Sequence, residues 1–164
     1  MSDHVASVVE QWRSLRPGFD LIGMAVFGRI SRLARLADLR RAGVLEAHGL
    51  QTGDVDVLAP LWRHGGEGLR PLELRRAMMI GSGTLTARLD RLEAAGLLAR
   101  HPDLTDRRGR LIHLTAEGER IVPEVVVDLL EVENDMLAQL PPRIRQRLAS
   151  DLGRLTATLE ADDG

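Results

Sequence analysis

The stretch that decides the fold reads SGTLTARLDRLEAAGLL at residues 82–98 and DRRGRLIHLTAEG at residues 106–118. In the first run, leucines three and four residues apart give one apolar face to a helix predicted at about residues 84–95. These leucines are Leu85, Leu89 and Leu92. Gly96 then ends the helix, because glycine is favoured just after a helix C-terminus. A helix that docks through one leucine face leaves its other side available for a partner.

Two short strands and a basic hairpin follow this helix. The strands are predicted at residues 97–101 and 110–114, and the polar, turn-rich segment between them carries Arg107 and Arg108. Before the helix, residues 71–80 predict another short helix, which a Gly-Ser-Gly break ends. Two helices joined by a glycine-containing turn and followed by a hairpin are the parts of a winged helix-turn-helix.

The remainder of the chain is predicted to be helical. Thr52 is placed to cap a helix that enters the winged unit, and apolar residues at helical spacing mark four further helices. These lie at about residues 3–15, 21–42, 115–139 and 141–160. The expected fold class is therefore mainly α with a small β wing. We treat residues 1–164 as a single unit, with the winged helix at about 52–114 and dimerisation helices at about 3–48 and 115–160.

Dimerisation is expected because the apolar stripes of the last two helices exceed what one compact unit could cover. The residues of these stripes are Val125, Leu129, Leu130, Val132, Leu137, Ile144, Leu148, Leu152, Leu155 and Leu159. An obligate homodimer held through its N- and C-terminal helices would bury them.

The composition excludes several classes of protein. The 164 residues include no cysteine, and the five histidines are scattered without a second ligand at metal-binding spacing. No apolar run is long enough for a membrane span and no signal peptide is evident, so a cytoplasmic protein is expected. Residues 81–84 lack the lysine of a phosphate-binding loop, and no carboxylate pair or Ser/His/Asp set has catalytic spacing. We expect neither an enzyme nor a metal or cofactor site.

The charge is unevenly distributed along the chain. The formal net charge is −2, yet residues 70–113 hold nine arginines and five acidic residues, a balance of +4. Residues 114–164 hold five arginines and eleven acidic residues, a balance of −6. A basic middle followed by an acidic arm suits a module that presents one face to phosphate, although solvated helices are often unevenly charged as well.

The outer side of the predicted 84–95 helix and the hairpin tip hold the residues expected to contact double-stranded DNA. Small residues at the helix start allow close approach to the major groove, and hydroxyl groups there can donate to bases or phosphates. Arginines at a hairpin tip suit the narrow, negative minor groove. The predicted DNA-binding residues are Ser82, Gly83, Thr84, Thr86, Ala87, Arg88, Arg91, Arg107 and Arg108. The alternatives are a simple helix cap at 81–83 and a solvated turn at 102–109.

Residues 82–98 resemble the recognition helix of the MarR family of transcriptional regulators, and residues 106–118 resemble its wing and the entry to its fifth helix. The likeness extends from about Phe19 to the C-terminus. It implies a two-fold dimer that places two recognition helices in successive major grooves and the wing arginines in the minor groove. Ala87 departs from the pattern, since many relatives carry Asn or Arg at this position.

A narrower resemblance concerns the N-terminal half. The extra N-terminal helix with Trp12, together with the sequence DVLAPLWR at residues 56–63, is similar to the urate-responsive branch of the family. The resemblance implies that Trp12, Asp56 and Arg63 handle a purine, with Arg91 or Arg88 as the fourth residue.

The spacing of these residues agrees with a small anionic aromatic ligand. Asp56 and Arg63 are seven residues apart, so they project from one face of a helix about 10 Å apart along its axis. Arg63 would meet an anionic oxygen, Asp56 would accept a ring N–H, and Trp12 would offer a stacking surface. If Asp56 pairs with a recognition-helix arginine, an incoming anion would disturb that pair. The alternatives are a dimer-interface role for Trp12 and solvated side chains for the other two.

The sequence thus predicts a transcription regulator, a repressor that urate or a related purine releases from a pseudo-palindromic operator, with activation as the open alternative. Two other functions stay open. One is the same regulator responding to a phenolic or drug-like aromatic. The other is a helical dimerisation adaptor without DNA affinity, which would have no need of arginines on a hairpin.

Overall fold

A computed structural model describes residues 3–78, 82–103 and 109–162. Within these ranges the chain forms seven helices and one two-stranded antiparallel sheet. In chain order they are α1 (His4–Leu15), α2 (Ile22–Ala47), α3 (Asp54–Arg63), α4 (Pro71–Met78), α5 (Ser82–Ala94), β1 (Leu98–Pro102), β2 (Arg110–Leu114), α6 (Ala116–Leu137) and α7 (Pro142–Asp162). The predicted fold class, mainly α with a small β wing, is confirmed. None of the helices in these ranges is long and apolar enough to cross a membrane.

Side-chain caps begin two of the helices. Asp3 caps α1 by accepting a hydrogen bond from the N–H of Val5 at 2.9 Å. Thr115 caps α6 through its Oγ1, which accepts from the N–H of Gly118 at 3.1 Å. Each cap satisfies one of the backbone donors that a helix start leaves without an intrahelical partner.

The predicted boundaries on the two sides of the α2–α3 connection are wrong. Thr52 does not cap α3, because the helix begins at Asp54 after Gly53, whose φ of 86° is readily adopted by glycine. α2 continues to Ala47, five residues beyond the predicted end, because Gly43 lies within the helix instead of terminating it. An exposed glycine weakens a helix interior by only about 1 kcal/mol relative to alanine, which the rest of a 26-residue helix can offset.

The winged lobe, defined here as residues 50–115, is built on a continuous apolar core. Its side chains with less than 2% exposure include Val57, Leu58, Leu74, Leu92, Leu98 and Ile112. Leu69 pairs with β2 as an isolated antiparallel bridge, because it exchanges two backbone hydrogen bonds of 2.9 Å with Ile112. The start of α6 completes this core with Ile121, Val122 and Val125, on both sides of Pro123. The lobe and the first turns of α6 are therefore one packed unit.

α1 lies on α2 through a small separate cluster of Val5, Val9 and Leu21. The helices approach closely at Gly28, where an added Cβ would lie 3.1 Å from a methyl group of Val5. Asp3 reinforces the contact, because its second carboxylate oxygen accepts from the Nε of Arg29 at 2.7 Å.

One ion pair and one histidine–carboxylate hydrogen bond join α2 and its C-cap residue His48 to α6. The Nε of Arg41 donates to Glu133 at 2.8 Å, and the Nε2 of His48 lies 2.7 Å from Asp128. α7 differs from the other helices because none of its described side chains is buried. Arg145 holds the α6–α7 turn by donating to the carbonyl oxygens of Leu140 and Ala138.

Candidate DNA interface and ligand site

α5 packs onto the core as its leucine spacing predicts. Leu85 and Leu89 are each 4% exposed and Leu92 is 1% exposed. On the opposite side Thr86, Ala87 and Asp90 are exposed. The helix begins at Ser82, two residues earlier than predicted, so residues 82–84 belong to its first turn; their side chains lie outside the described part of the chain.

Arg91 of α5 is tied to the N-terminal end of α3. Its Nη2 donates to Asp54, whose side chain is only 2% exposed. The other carboxylate oxygen of Asp54 accepts the backbone N–H of Gln51 at 2.8 Å. Both carboxylate oxygens therefore have partners, which a buried anion requires because leaving water costs several kcal/mol.

Arg88 makes a second link, one turn earlier on α5. Its Nη1 donates to the carbonyl oxygen of Gly53 at 3.0 Å. The guanidinium lies directly over the Gly53 Cα, because a Cβ added there would be 2.2 Å from the Arg88 Cζ. We call the contacts of Asp54 and Gly53 with Arg91 and Arg88 the α3–α5 latch.

The latch corrects one sequence-based hypothesis. Asp56 was expected to pair with a recognition-helix arginine, Arg88 or Arg91. In the structure Arg91 pairs with Asp54, and Arg88 donates to the carbonyl oxygen of Gly53. Asp56 is exposed and has no hydrogen bond or ion pair within the described residues. Two residues further along a helix the side chain points about 200° away, so Asp54 faces α5 and Asp56 faces solvent.

The wing leaves the sheet at a second buried carboxylate. Asp103 directly follows β1 and is 5% exposed, and its N–H donates to the carbonyl oxygen of Gly109 at 3.1 Å. Its carboxylate accepts from Arg70, which precedes α4. The predicted minor-groove residues Arg107 and Arg108 lie outside the described residues. Sequence reasoning missed the roles of both Asp54 and Asp103.

A cavity of about 440 Å³ opens beside α5, between α4 and the sheet. Its lining is mostly apolar, with Leu85, Leu89 and Ile112 among the residues that form it. Arg75, from α4, and Arg110, from β2, also line it. The surface beside the exposed face of α5 thus adds positive charge from two further elements, which agrees with the +4 balance of residues 70–113.

Three of the predicted ligand residues are exposed but are not gathered in a single chain, and the fourth, Arg91, is half-buried and held in the latch. Trp12 is 41% exposed on α1, which packs mainly against α2 and makes no extensive contact with α3. Asp56 and Arg63 are exposed at the two ends of α3. Neither the cavity beside α5 nor a second one of about 390 Å³ near Trp62 and His113 includes them in its lining. No group of three or more metal-ligating side chains occurs among the described residues.

Comparison with known proteins identifies the family. Residues 50–109, which cover most of the winged lobe, match the MarR family model. The chain is 39% identical over 152 residues to the HTH-type transcriptional regulator PecS of Dickeya dadantii, covering 92% of each chain. This protein belongs to the MarR family. It is accordingly a DNA-binding transcription regulator and not an enzyme, and the adaptor alternative is set aside.

Solved structures have the same fold at low sequence identity. The S. aureus MepR–DNA complex superposes with a TM-score of 0.72 at 21% identity, covering 79% of this chain and 94% of MepR. BpsR of Bordetella bronchiseptica, whose DNA binding is regulated by 6-hydroxynicotinic acid, superposes with a TM-score of 0.63 at 24% identity, covering 78% of this chain and 98% of BpsR. MarR-family membership thus agrees with the architecture of the winged lobe.

Proposed function

We propose that this MarR-family protein is a homodimeric repressor that binds a pseudo-palindromic operator and is released by a small anionic aromatic compound. The observation that carries the DNA-binding geometry is the position of α5. One face of this helix is locked into the core and the opposite face, with Thr86 and Ala87, is open to solvent. A helix presented in this way can enter the major groove.

The DNA contacts are proposed to come from two elements. The first turn of α5, with Ser82, Gly83 and Thr84, would approach the base edges together with Thr86 and Ala87. In a separate set, Arg107 and Arg108 of the wing would enter the minor groove. Arg88 and Arg91, predicted as DNA-binding residues, are already engaged in the latch. We therefore assign them to holding α5 at its angle.

The homodimer is supported by the unpartnered apolar side of α7. Ile144, Leu148, Leu152 and Leu159 are between 38% and 47% exposed within one chain. A 21-residue helix with this pattern has little to stabilise it alone, because most helical stability in proteins comes from packing an apolar face. A second copy of the chain, related by a two-fold axis, would cover it.

The ligand is proposed to be urate or a related oxidised purine. Asp56 and Arg63 are exposed on α3, and Trp12 is available for stacking. Because α1 does not bring Trp12 to α3 within one chain, the site would be completed in the dimer. Binding beside α3 would act on DNA affinity through the latch, since Asp54 at the start of the same helix holds Arg91. BpsR, which shares the fold, responds to a heteroaromatic acid; a phenolic or drug-like ligand is the second candidate.

Electrophoretic mobility shifts with an operator fragment test this function. Urate, xanthine and salicylate are titrated against the complex, and in vitro transcription from the same fragment gives the sign of regulation. Release by a purine at lower concentration than by salicylate is expected, with a coupling free energy of about 1–3 kcal/mol. If salicylate releases the complex and the purines do not, the phenolic candidate replaces the purine.

Two variants locate the site. Arg63→Ala is expected to lose ligand affinity, whereas Asp56→Asn is expected to keep DNA binding and lose most of the response. Arg35→Ala, an exposed arginine of α2, serves as the matched control. Calorimetry that shows no binding of urate or xanthine at millimolar concentration would refute the purine proposal and leave DNA binding intact.

A further inference from the structure

Only two charged side chains are buried within the described residues, Asp54 and Asp103. Asp54 belongs to the α3–α5 latch. Asp103 has no part in that latch; it lies at the base of the wing, where its side chain is 2% exposed. A carboxylate that is withdrawn from water at the edge of a small lobe needs a structural or functional reason, because its desolvation is costly.

Arg70 supplies the compensating charge with a fixed geometry. Its Nε and Nη2 both donate to the Oδ2 of Asp103, at 2.8 and 2.7 Å. Two donors on one planar group fix the orientation of the guanidinium relative to the carboxylate, which a single ammonium contact would not do. The Arg70 side chain is 47% exposed, so the pair is buried on the carboxylate side only.

The backbone of Arg70 is fixed as firmly as its side chain. Its N–H donates to the Oε2 of Glu73 at 2.8 Å, which satisfies a backbone donor at the start of α4. The backbone N–H and carbonyl oxygen of the preceding residue, Leu69, are both hydrogen-bonded to the backbone of Ile112 in β2. Arg70 therefore connects three elements, namely α4, the sheet and the base of the hairpin.

Asp103 stands where the hairpin begins. Its N–H donates to the carbonyl oxygen of Gly109, which is the last backbone hydrogen bond between the two arms described before residues 104–108. Among the described residues, the pairing of the two arms ends with this hydrogen bond. The ion pair to Arg70 adds a restraint from outside the ladder, because it ties the exit of β1 to the start of α4.

We propose that Arg70 and Asp103 form a positioning pair for the wing. The pair fixes the angle at which the hairpin leaves the sheet and thereby determines how the wing meets DNA. Asp103 repels phosphate and does not contact DNA; it acts through the hairpin that it anchors. This inference rests on the proposed placement of the wing in the minor groove.

The sign of one substitution separates positioning from simple electrostatics. Asp103→Asn removes a negative charge from the DNA-binding lobe, so a purely electrostatic role predicts tighter binding. Positioning predicts weaker binding by about tenfold, because the asparagine no longer orients Arg70 by charge. Glu67→Gln makes the same charge change at a side chain that is 85% exposed in a neighbouring loop, and it is expected to bind as tightly as wild type or slightly more tightly.

Two footprints identify the affected contact. Hydroxyl-radical cleavage reports minor-groove protection and dimethyl sulfate reports guanine N7 in the major groove. For Asp103→Asn and Arg70→Ala we expect loss of the minor-groove protection with the major-groove protection retained at saturating protein. Arg70→Lys keeps the charge but provides a single ammonium, and we expect intermediate protection. Thermal unfolding of each variant verifies that the lobe is folded, and Arg70→Lys serves as the test if Asp103→Asn unfolds.

The outcomes are distinct. If Asp103→Asn binds as tightly as wild type or more tightly, with the wild-type footprint, the positioning role is wrong and the proposed function stands. If wild type itself gives no minor-groove protection, the proposed wing contact is wrong and the inference fails with it.

Discussion

Breaking the α3–α5 latch from both sides gives a quantitative test of how the recognition helix is held. Arg91→Ala leaves the Asp54 carboxylate buried with the N–H of Gln51 as its remaining partner among the described residues. Removing one member of a fully buried pair costs about 3–5 kcal/mol. The Arg91 side chain is 37% exposed, so water partly replaces it. We therefore expect a loss of about 2–3 kcal/mol in the free energy of unfolding, near the value of a hydrogen bond to a charged group.

Asp54→Asn removes the charge and keeps an oxygen that can accept from Gln51. We expect a loss of about 1.5–3 kcal/mol, because the amide no longer compensates the guanidinium of Arg91. In the double variant the free energy of unfolding should fall by about 1–2 kcal/mol less than the sum of the two single losses. The reason is that the Arg91–Asp54 interaction is already lost in either single variant and cannot be lost twice. Asp56→Asn is the control for charge on the same helix, and its exposed side chain predicts a change within about 0.5 kcal/mol.

Urea unfolding followed by circular dichroism measures these differences, at one fixed protein concentration because dimerisation makes apparent stability concentration-dependent. Operator affinity is measured on the same samples over a range of salt. The slope of the logarithm of the binding constant against the logarithm of the salt concentration separates two roles of Arg91. If Arg91 positions α5, Arg91→Ala should bind more weakly with an unchanged slope. If Arg91 contacts a phosphate directly, the slope should be smaller by about one. Additive losses in stability, or a slope reduced by one, would refute the reasoning.

Three further predictions follow from single contacts. Desolvation opposes ionisation of Asp3, but its hydrogen bonds with Arg29 and the N–H of Val5 outweigh this effect and lower the pKa of Asp3. The contribution of this carboxylate to α1 docking is therefore present above the ordinary carboxyl pKa and is lost as pH falls through the lowered value. Trp12 fluorescence in acid should report the weaker docking, and Asp3→Asn should remove this pH dependence. Gly118→Ala would place a Cβ 2.1 Å from the carbonyl oxygen of Leu97 and should lower the free energy of unfolding in urea by about 2–4 kcal/mol. Gly153→Ala, with no heavy atom within 4 Å of the added Cβ, should be neutral or stabilising by up to about 1 kcal/mol. Equal effects of the two changes would contradict this. Leu152→Glu on the exposed stripe of α7 should shift sedimentation from dimer to monomer at micromolar concentration, and an unchanged dimer would place the interface elsewhere.

Periodicity predicts most of the elements because the apolar residues of this chain keep their helical spacing closely. The leucine face of α5 and the β2 strand at residues 110–114 agree with the structure. The end of α2 and the start of α3 do not, because glycine at 43 is tolerated inside a long helix and glycine at 53 is required by its backbone angle. Glycine alone does not distinguish these two uses.

The latch could have been found from the sequence and was missed. Asp54 precedes Val57, Leu58 and Leu61 by three, four and seven residues, which places it on the apolar face of α3, whereas Asp56 falls on the opposite face. An acidic residue in phase with a core stripe is a strong indication of a buried ion pair. Asp103 gives no such signal, because it follows a strand end and its partner Arg70 is distant in sequence. Only the packed structure brings them together.

The continuity of the winged lobe with α6 has a mechanical consequence. Val122 and Val125, on the two sides of Pro123, are both buried in the core. The core therefore stabilises α6 at the point where proline interrupts the helix hydrogen bonds, and the lobe and the helix move as one rigid body. Further along α6, Glu133 contacts Arg41 of α2, and Asp128 contacts His48 at the C-terminal end of α2. Glu133 lies 17 residues from the start of α6 at Ala116, about 26 Å at 1.5 Å per residue, so a tilt of about 10° about that point displaces the start of the helix by about 4 Å. In the DNA-binding geometry proposed above, a displacement of this size would move α5 relative to the groove that it enters.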